Sequence, residues 1–375
     1  MTAFIHELLQ DSELCPIAEK VFSGQRLNNK DGLVLMTTQD MTTLGYLADQ
    51  VRQEKVGDEA CFYINLNINP TNICAGRCQI CAFRRDEEDS DAYVMNPDQM
   101  EEKIRQALPL GLNEIHVVSA LNPELNLRYY EELCRRIKTI SPELCIHGFT
   151  AVEVDFLGRL ERLPVDIVLT RLKEAGLDNM PGGGAEVFAP RIRQLICQGK
   201  ISAERWLEIH GIAHQLGLTT NATLLYGHIE TPEERVDHLL RLREQQDKTG
   251  GFSCFVPLAF HPENTAIENP HLADGNDNLR VIAAARLLLD NFTHIKAIWT
   301  YLGAKMAQTA LMFGADDLHG TNVNEKIVHD AGSCQGNQIG QDELVRLIRD
   351  AGRVPVLTDS RYHFKKILSS GEGLS

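Results

Sequence analysis

Three cysteines fall within eight residues in Cys74-Ala-Gly-Arg-Cys78-Gln-Ile-Cys81, directly after the alternating run Phe62-Tyr-Ile-Asn-Leu-Asn-Ile-Asn69. A loop this short can aim all three sulfurs at one inorganic centre. A closed zinc site or an electron-transfer cluster takes four protein ligands. Three thiolates can hold a cube of four irons and leave the fourth iron open, and an open iron can chelate a cosubstrate. S-adenosylmethionine (SAM) has an amino and a carboxylate group that close a five-membered chelate, which makes it the candidate.

Other uses of these thiols fit less well. Cys78-x-x-Cys81 alone has the spacing of a thioredoxin-like redox pair, but its surroundings lack that pattern and a third cysteine is left over. Zinc would need a fourth ligand, and Cys61 lies at the far end of the preceding strand, roughly 20 Å or more away at strand rise. Buried structural cysteines would leave Gly76 and Arg77 between them unexplained. Cys15, Cys134, Cys197 and Cys254 read as small core residues. Ten cysteines in 375 residues are too few and too scattered for a disulfide scaffold, so a reducing, cytoplasmic compartment is expected.

The chain that must position this loop is 43% hydrophobic and 24% charged, ordinary values for a globular protein. Its formal net charge of −15 argues against a nucleic-acid partner, which would need a basic footprint. No window approaches 18 uninterrupted apolar residues, so no membrane span is expected. Met1–Gln10 lacks a basic segment followed by a long apolar one, and no signal peptide is expected.

Residues 1–58 read as an N-terminal helical cap, with apolar residues at helical spacing over His6–Leu9, Ile17–Phe22 and, after a turn at Asp31-Gly32, Thr38–Val51. From Cys61 strands and helices alternate. Strands are expected at Phe62–Ile68, Glu114–Val118, Leu144–Phe149, Leu177–Met180, Thr219–Leu225, Ser253–Phe260, His294–Thr300 and Asp316–His319. Helices are expected at Pro97–Leu108, Leu127–Ile140, Asp155–Glu174, Ala189–Leu195, Ala203–Leu216, Glu233–Thr249 and Asn278–Asp290. That count and length predict an α/β fold, a (β/α)8 TIM-type barrel over residues 59–323. A doubly wound sheet is the alternative, but its glycine-rich nucleotide fingerprint is missing after the first strand. A C-terminal helical extension over 324–375 would hold a helix at Asp342–Ala351, then Val354–Leu357 and a polar, disordered tail at Ser369–Ser375.

In such a barrel the active site lies at the C-terminal ends of the strands. The cysteine loop follows strand one. The later loops are Ser119–Glu124, Thr150–Glu153, Pro181-Gly-Gly-Gly-Ala-Glu186, Tyr226-Gly-His-Ile-Glu230, His261-Pro-Glu-Asn264 and Asp317–Thr321. Each has a plain structural use: the glycines make a tight turn, Thr231 with Pro232 starts a helix, and His261 precedes a proline. Their recurrence at one predicted mouth is what points to a site, with Glu186 free to bond ribose hydroxyls.

Cys-x3-Cys-x2-Cys after the first strand of a barrel resembles the radical SAM superfamily. Gly227 and Glu230 match its Gly-x-Ile-x-Gly-x-x-Glu pattern, whereas Thr223 and Leu225 depart from it. Ile80 stands where an aromatic residue is usual, and Ser119-Ala120 where paired glycines are. Within the superfamily the chain resembles the aminofutalosine synthase family of the futalosine route to menaquinone. The matching segments run from about Asn65 to Gly332 and include Phe149-Thr-Ala-Val-Glu153 and Phe260-His-Pro-Glu-Asn-Thr265.

The resemblance implies a 4Fe-4S cluster on Cys74, Cys78 and Cys81, with SAM consumed as cosubstrate. It implies that the adenosyl radical adds to 3-[(1-carboxyvinyl)oxy]benzoate, and that aryl migration and loss of the carboxyl carbon give 6-amino-6-deoxyfutalosine. Candidate SAM contacts are Phe83, Ser119, Glu153, Glu186, Tyr226 and Glu230. Candidate contacts to the carboxylate substrate are Arg84, Arg85, Thr150, His228, His261 and Asn264. An external one-electron reductant of flavodoxin or ferredoxin type is expected. The rivals are a hydrogen-abstracting relative such as dehypoxanthine futalosine cyclase and a non-catalytic iron–sulfur electron carrier. The cluster assignment has a direct check. Anaerobically reconstituted protein should show a SAM-perturbed cluster signal by electron paramagnetic resonance, and Cys78→Ala should lose it; a variant that kept the signal would exclude this ligand set.

Overall fold

The computed structural model describes residues 12–336, 338–363 and 365–368. The helix expected at His6–Leu9 and the tail at Ser369–Ser375 lie outside the described residues. Strands are β1 (Glu59–Tyr63), β2 (Asn65–Ile68), β3 (Glu114–Val117), β4 (Cys145–Gly148), β5 (Asn179–Met180), β6 (Thr219–Tyr226), β7 (Phe252–Ala259), β8 (His294–Ile295), β9 (Asp317–Gly320), β10 (Val354–Thr358) and β11 (Lys365–Ile367).

Strands β2 to β8 form one parallel sheet in sequence order. The sheet curls until β9 meets both of its edges. Lys296 bridges to Asp317 on one side, and Leu66 bridges to Val323, just past β9, on the other. Backbone bonds of 2.8 Å from Ala297 N to Asp317 O and from Asn67 N to Val323 O carry the closure. Eight parallel strands with helices outside are the predicted barrel.

The strand alternation sets two faces. Leu66, Ile115 and Ile146 stand side by side across β2, β3 and β4 and are fully buried outward under the helices. Asn67, His116 and His147 stand side by side on the opposite, inward face. Barrel interiors are usually filled by branched apolar residues; this one is polar at mid-height.

Several boundaries differ from the expectation. The first strand breaks at Ile64: β1 pairs with β9 and β10 below the ring, and only β2 enters the barrel. Asp31-Gly32 makes no turn. It lies in the helix Asn29–Thr37, whose start is a capping box between Asn28 and Asp31. The helix expected at Asp155–Glu174 is two, Ala151–Glu161 and Val165–Ala175, because Arg162 turns left-handed and Pro164 follows. His294–Thr300 is a strand only over β8 and turns helical at Trp299–Leu302.

The N-terminal helices Asn29–Thr37 and Met41–Val56 pack on the outer barrel helices Pro232–Thr249 and Gly275–Leu288. The C-terminal extension holds the helix Gln341–Asp350 and also two strands, since β10 finds the open edge of β1 and β11 folds back on it. The segment after β10 closes the bottom of the ring. Ser360 N donates to Glu114 at 2.7 Å, Arg361 pairs with Asp178 at 3.1 Å, and the Tyr362 ring stacks on His294 at 3.8 Å.

The glycine turn after β5 presses on the ring itself. A Cβ on Gly182 would come 2.6 Å from Asn221 O and 2.9 Å from Thr223 N, both backbone atoms of β6. Gly182→Ala should therefore destabilise the fold by about 2 kcal/mol or more in chemical denaturation. Gly340→Ala, with open space around it, should stay within about 0.5 kcal/mol of wild type.

Candidate active site

The cysteine loop leaves the top of β2 and is pinned at several points. Cys74 N donates to Arg85 O at 3.1 Å, Ala75 N to Leu121 O at 2.9 Å, and Gln79 N to Ile196 O at 2.9 Å. The Cys74 sulfur accepts two backbone amides, from Gly76 at 3.3 Å and Leu121 at 3.4 Å. Burial pushes the Cys78 thiol up to about 11, against the pull of the Lys200 charge. All three cysteines are half-buried and line one cavity of about 360 Å³ at the barrel mouth. That volume is in the range of small-molecule sites.

Among the described residues no three His, Cys, Asp or Glu side chains converge closely enough to hold a single metal ion. A four-iron cube binds each thiolate on a different iron, so its ligands ring a volume rather than meet at a point. The all-sulfur donor set and the amides aimed at Cys74 fit such a cluster.

Phe83, Ser119, Thr150, Glu153, Glu186 and His261 all line this cavity. Thr150 caps the helix Ala151–Glu161 and forms a capping box with Glu153. The Glu153 carboxylate accepts Thr150 N and Ser119 N, each at 2.8 Å, and the Thr150 hydroxyl at 2.7 Å. Burial nevertheless pushes Glu153 up to about 7. Glu186 is not free, as the sequence suggested. It pairs with Lys200 at 2.5 Å, and although burial opposes its charge, the Lys200 ammonium holds it below the usual carboxylate range. His261 holds Tyr301 O at 3.0 Å through Nε2.

The other expected residues do not reach the cavity wall, Arg84 excepted. Arg84 lines the rim, where Nε donates to Gly76 O at 2.9 Å and the guanidinium pairs with Asp86. Arg85 turns outward to Asp91 at 2.8 Å. Asn264, left-handed at φ 57°, is exposed and donates to Asp330 O at 2.8 Å. Tyr226, His228 and Glu230 lie behind the wall. The Tyr226 hydroxyl donates to Asn278 at 2.7 Å. Glu230 accepts Gly227 N at 2.6 Å and His228 N at 2.9 Å, and pairs with Arg235 at 2.7 Å. These bonds build the turn after β6, which leaves Thr223 and Leu225 to face the cavity.

The cavity also reaches residues that the strand-end reading missed. Lys200 stands beside Glu186. At mid-height, Asn67, His116, His147, Asn221, Lys296 and His319 line its floor. Their signal was present as polar residues at alternate strand positions, in Ile115-His116-Val117, Ile146-His147-Gly148 and Leu318-His319-Gly320.

A family model described as the radical SAM superfamily matches residues 68–242, and one described as the CofH/MqnC C-terminal region matches residues 249–371. The chain is 46% identical over 358 residues to a Thermus thermophilus protein named aminodeoxyfutalosine synthase, covering 94% of this chain and 96% of that one. It is 41% identical over 325 residues to a Methanopyrus kandleri protein named 5-amino-6-(D-ribitylamino)uracil–L-tyrosine 4-hydroxyphenyl transferase, covering 85% and 88%. The solved structure of methylornithine synthase superposes with a TM-score of 0.73 at 16% identity over 90% of this chain and 96% of that one, a likeness of fold.

The elevated Glu153 has a measurable consequence. Its ordinary value is 4.5, so between about pH 4.5 and 7 the folded chain keeps a proton that the unfolded chain has released. Stability should therefore fall as pH rises through that window, by up to about 3 kcal/mol for this group, and level off above it. Glu153→Gln should flatten that part of the slope in denaturation measured from pH 5 to pH 8.

Proposed function

We infer the reaction from the premise that this chain belongs to the radical SAM superfamily. We propose that it joins the adenosyl group of SAM, with release of methionine, to the vinyl carbon of 3-[(1-carboxyvinyl)oxy]benzoate, and that aryl migration and loss of the vinyl carboxyl carbon then give 6-amino-6-deoxyfutalosine in menaquinone biosynthesis. The observation that carries this reading is the likeness to aminodeoxyfutalosine synthase along nearly the whole of both chains. The cavity supports it, since the cysteine loop forms one wall of a space that continues to the barrel floor.

Cys74, Cys78 and Cys81 would hold a 4Fe-4S cluster, which when bound and reduced supplies the electron that opens the SAM sulfonium. The chain's own part is to place the reactants and exclude water and stray hydrogen donors. Glu153, tied to Ser119 and Thr150, would meet the SAM ammonium. Glu186 and Lys200 would take its polar groups, and Phe83 lines the same cavity. Tyr226 and Glu230 support the wall from behind. Thr150, Arg84 and His261 are the polar contacts near the mouth for the substrate.

Cys78 and Cys81 also line a polar groove on the outer side of the loop, with Arg77, Arg84 and Arg85. There an external one-electron reductant of flavodoxin or ferredoxin type would come closest to the cluster. Among the described residues all ten cysteines are free thiols, and no helix is long and apolar enough to cross a membrane. Free thiols and a cluster loop that must stay reduced fit a cytoplasmic setting.

The relative named as a tyrosine 4-hydroxyphenyl transferase keeps a second reading alive, in which the radical abstracts hydrogen and leaves as free 5′-deoxyadenosine. Mass spectrometry separates the two. Reduced holoenzyme with SAM and the vinyl-ether benzoate should give an adduct carrying the adenosyl group. Free 5′-deoxyadenosine with substrate hydrogen, and no adduct, would overturn the synthase reading.

A further inference from the structure

Below the mouth the cavity narrows to side chains of the inward strand face, and their polar partners can be followed atom by atom. Lys296 is almost wholly buried, with 1% side-chain exposure. Its ammonium donates to the Tyr63 hydroxyl at 2.9 Å and lies 3.5 Å from the Asp317 carboxylate. Burial opposes the charge, but Asp317 keeps Lys296 protonated, above the usual lysine range. An ammonium has three N–H donors, so one remains.

The neighbouring rings divide into spent and unspent. His319 accepts from the Tyr63 hydroxyl and donates Nε2–H to Asn322 Oδ1 at 3.0 Å. His147 bonds Asn179 and accepts from Asn221 at 3.4 Å. His116 packs against His147 at 4.7 Å between ring centroids, and its buried Nε2 has no partner among the described residues. Burial, helped by the Lys296 charge, pushes His116 down to about 4, so at neutral pH it is an uncharged ring with one N–H to give.

Just above this floor four inward positions are apolar, while Asn69 and Thr223 at the same level spend their side chains on Val118 O and Gly182 O. Val118 follows His116 by two residues, Ile298 follows Lys296 by two, and Val256 and Leu258 face them from β7; all four line the cavity. The order from bottom to mouth is thus a cationic donor with a neutral imidazole, an apolar band, and the cysteine loop.

We propose that Lys296 and His116 form the seat of the substrate's ring carboxylate at the barrel floor, with the aromatic ring in the apolar band and the vinyl ether turned up toward the cysteine loop. This rests on the proposed function. The reacting vinyl carbon must be next to the adenosyl group at the mouth, which leaves the ring carboxylate, meta to the ether oxygen, as the group that reaches the floor. A buried ammonium with a spare donor suits a carboxylate, and the mouth residues Thr150 and His261 are then left for the carboxyl group beside the reacting carbon. Lys296 acts as a specificity determinant, since a substrate without an anion at that end would leave its donor unpaired.

The test compares the vinyl-ether benzoate with its ring methyl ester on reconstituted holoenzyme. Wild type should use the ester with KM raised roughly 10- to 100-fold, the size of a lost bond to a charged group. Lys296→Met should raise KM for the acid to a similar degree and treat acid and ester alike, while its SAM-perturbed cluster signal and substrate-free SAM cleavage match wild type. A variant that still separates acid from ester as wild type does overturns the seat, and so does a wild type indifferent to the ring ester. If Lys296→Met does not fold, His116→Leu is read in the same way and should narrow the gap between acid and ester; an unchanged gap overturns the seat. If wild type makes no adduct from the acid, the reaction fails, and calorimetric titration of 3-hydroxybenzoate then decides the seat. Weaker binding to His116→Leu than to wild type keeps it; equal or absent binding removes it.

Discussion

A closed ring of parallel strands turns half of its side chains inward, and any polar group among them must find a partner where water is scarce. Around Lys296 that demand is met by a chain of bonds that joins the two ends of the sheet. The lysine ammonium donates to Tyr63, Tyr63 to His319, and His319 to Asn322, which also accepts from Asn65 and Asn67 at 3.1 Å. The chain of bonds crosses from the residue after β8 to β1 and β9 and back to β2. It ties together the two ends of the sheet that the isolated bridges join.

Asp317 anchors the network from below, and the C-terminal segment anchors Asp317. The Tyr362 hydroxyl donates to Asp317 while its ring covers His294. Asp316 beside it is held by Arg286 and His294, each at 2.5 Å. Glu114, pushed up to about 7 by burial, is closed off by Ser360. The barrel is therefore sealed at the bottom by protein, and ligands can enter at the mouth. The C-terminal extension thus closes the ring beneath the cavity floor and also flanks the sheet.

Much of the fold was legible because the outward strand residues and the helix faces are apolar at regular spacing, as in Leu66, Ile115 and Ile146. The misplaced boundaries have local causes that outrank periodicity: a capping box at Asn28–Asp31, Pro164 in a helical run, and a strand at β8 that yields to helix four residues after its last pair. In the site, the cysteine loop was legible because its three thiols lie within eight residues of chain, whereas Thr150–Glu153, read as a loop, is the capping box that starts the helix four residues earlier than expected. Tyr226, His228 and Glu230 were placed at the mouth by motif and lie behind its wall, since their polar atoms are used within the turn and on Arg235 and Asn278. Glu186 looked available and is paired with Lys200, 14 residues on.

By itself the sequence determined that three thiols fall within eight residues, that they follow the first barrel strand, and that eight strand–helix units surround them. These are properties of spacing along the chain, and they survive whatever the chain's distant parts do. Only the tertiary structure decided what lies opposite the loop. Lys296 and Tyr63 are 233 residues apart, and Asn65 and Asn322 are 257 apart. Inward or outward orientation and donor pairing arise when the ring closes, because closure brings both ends of the sheet to one wall and removes the water that would otherwise satisfy them.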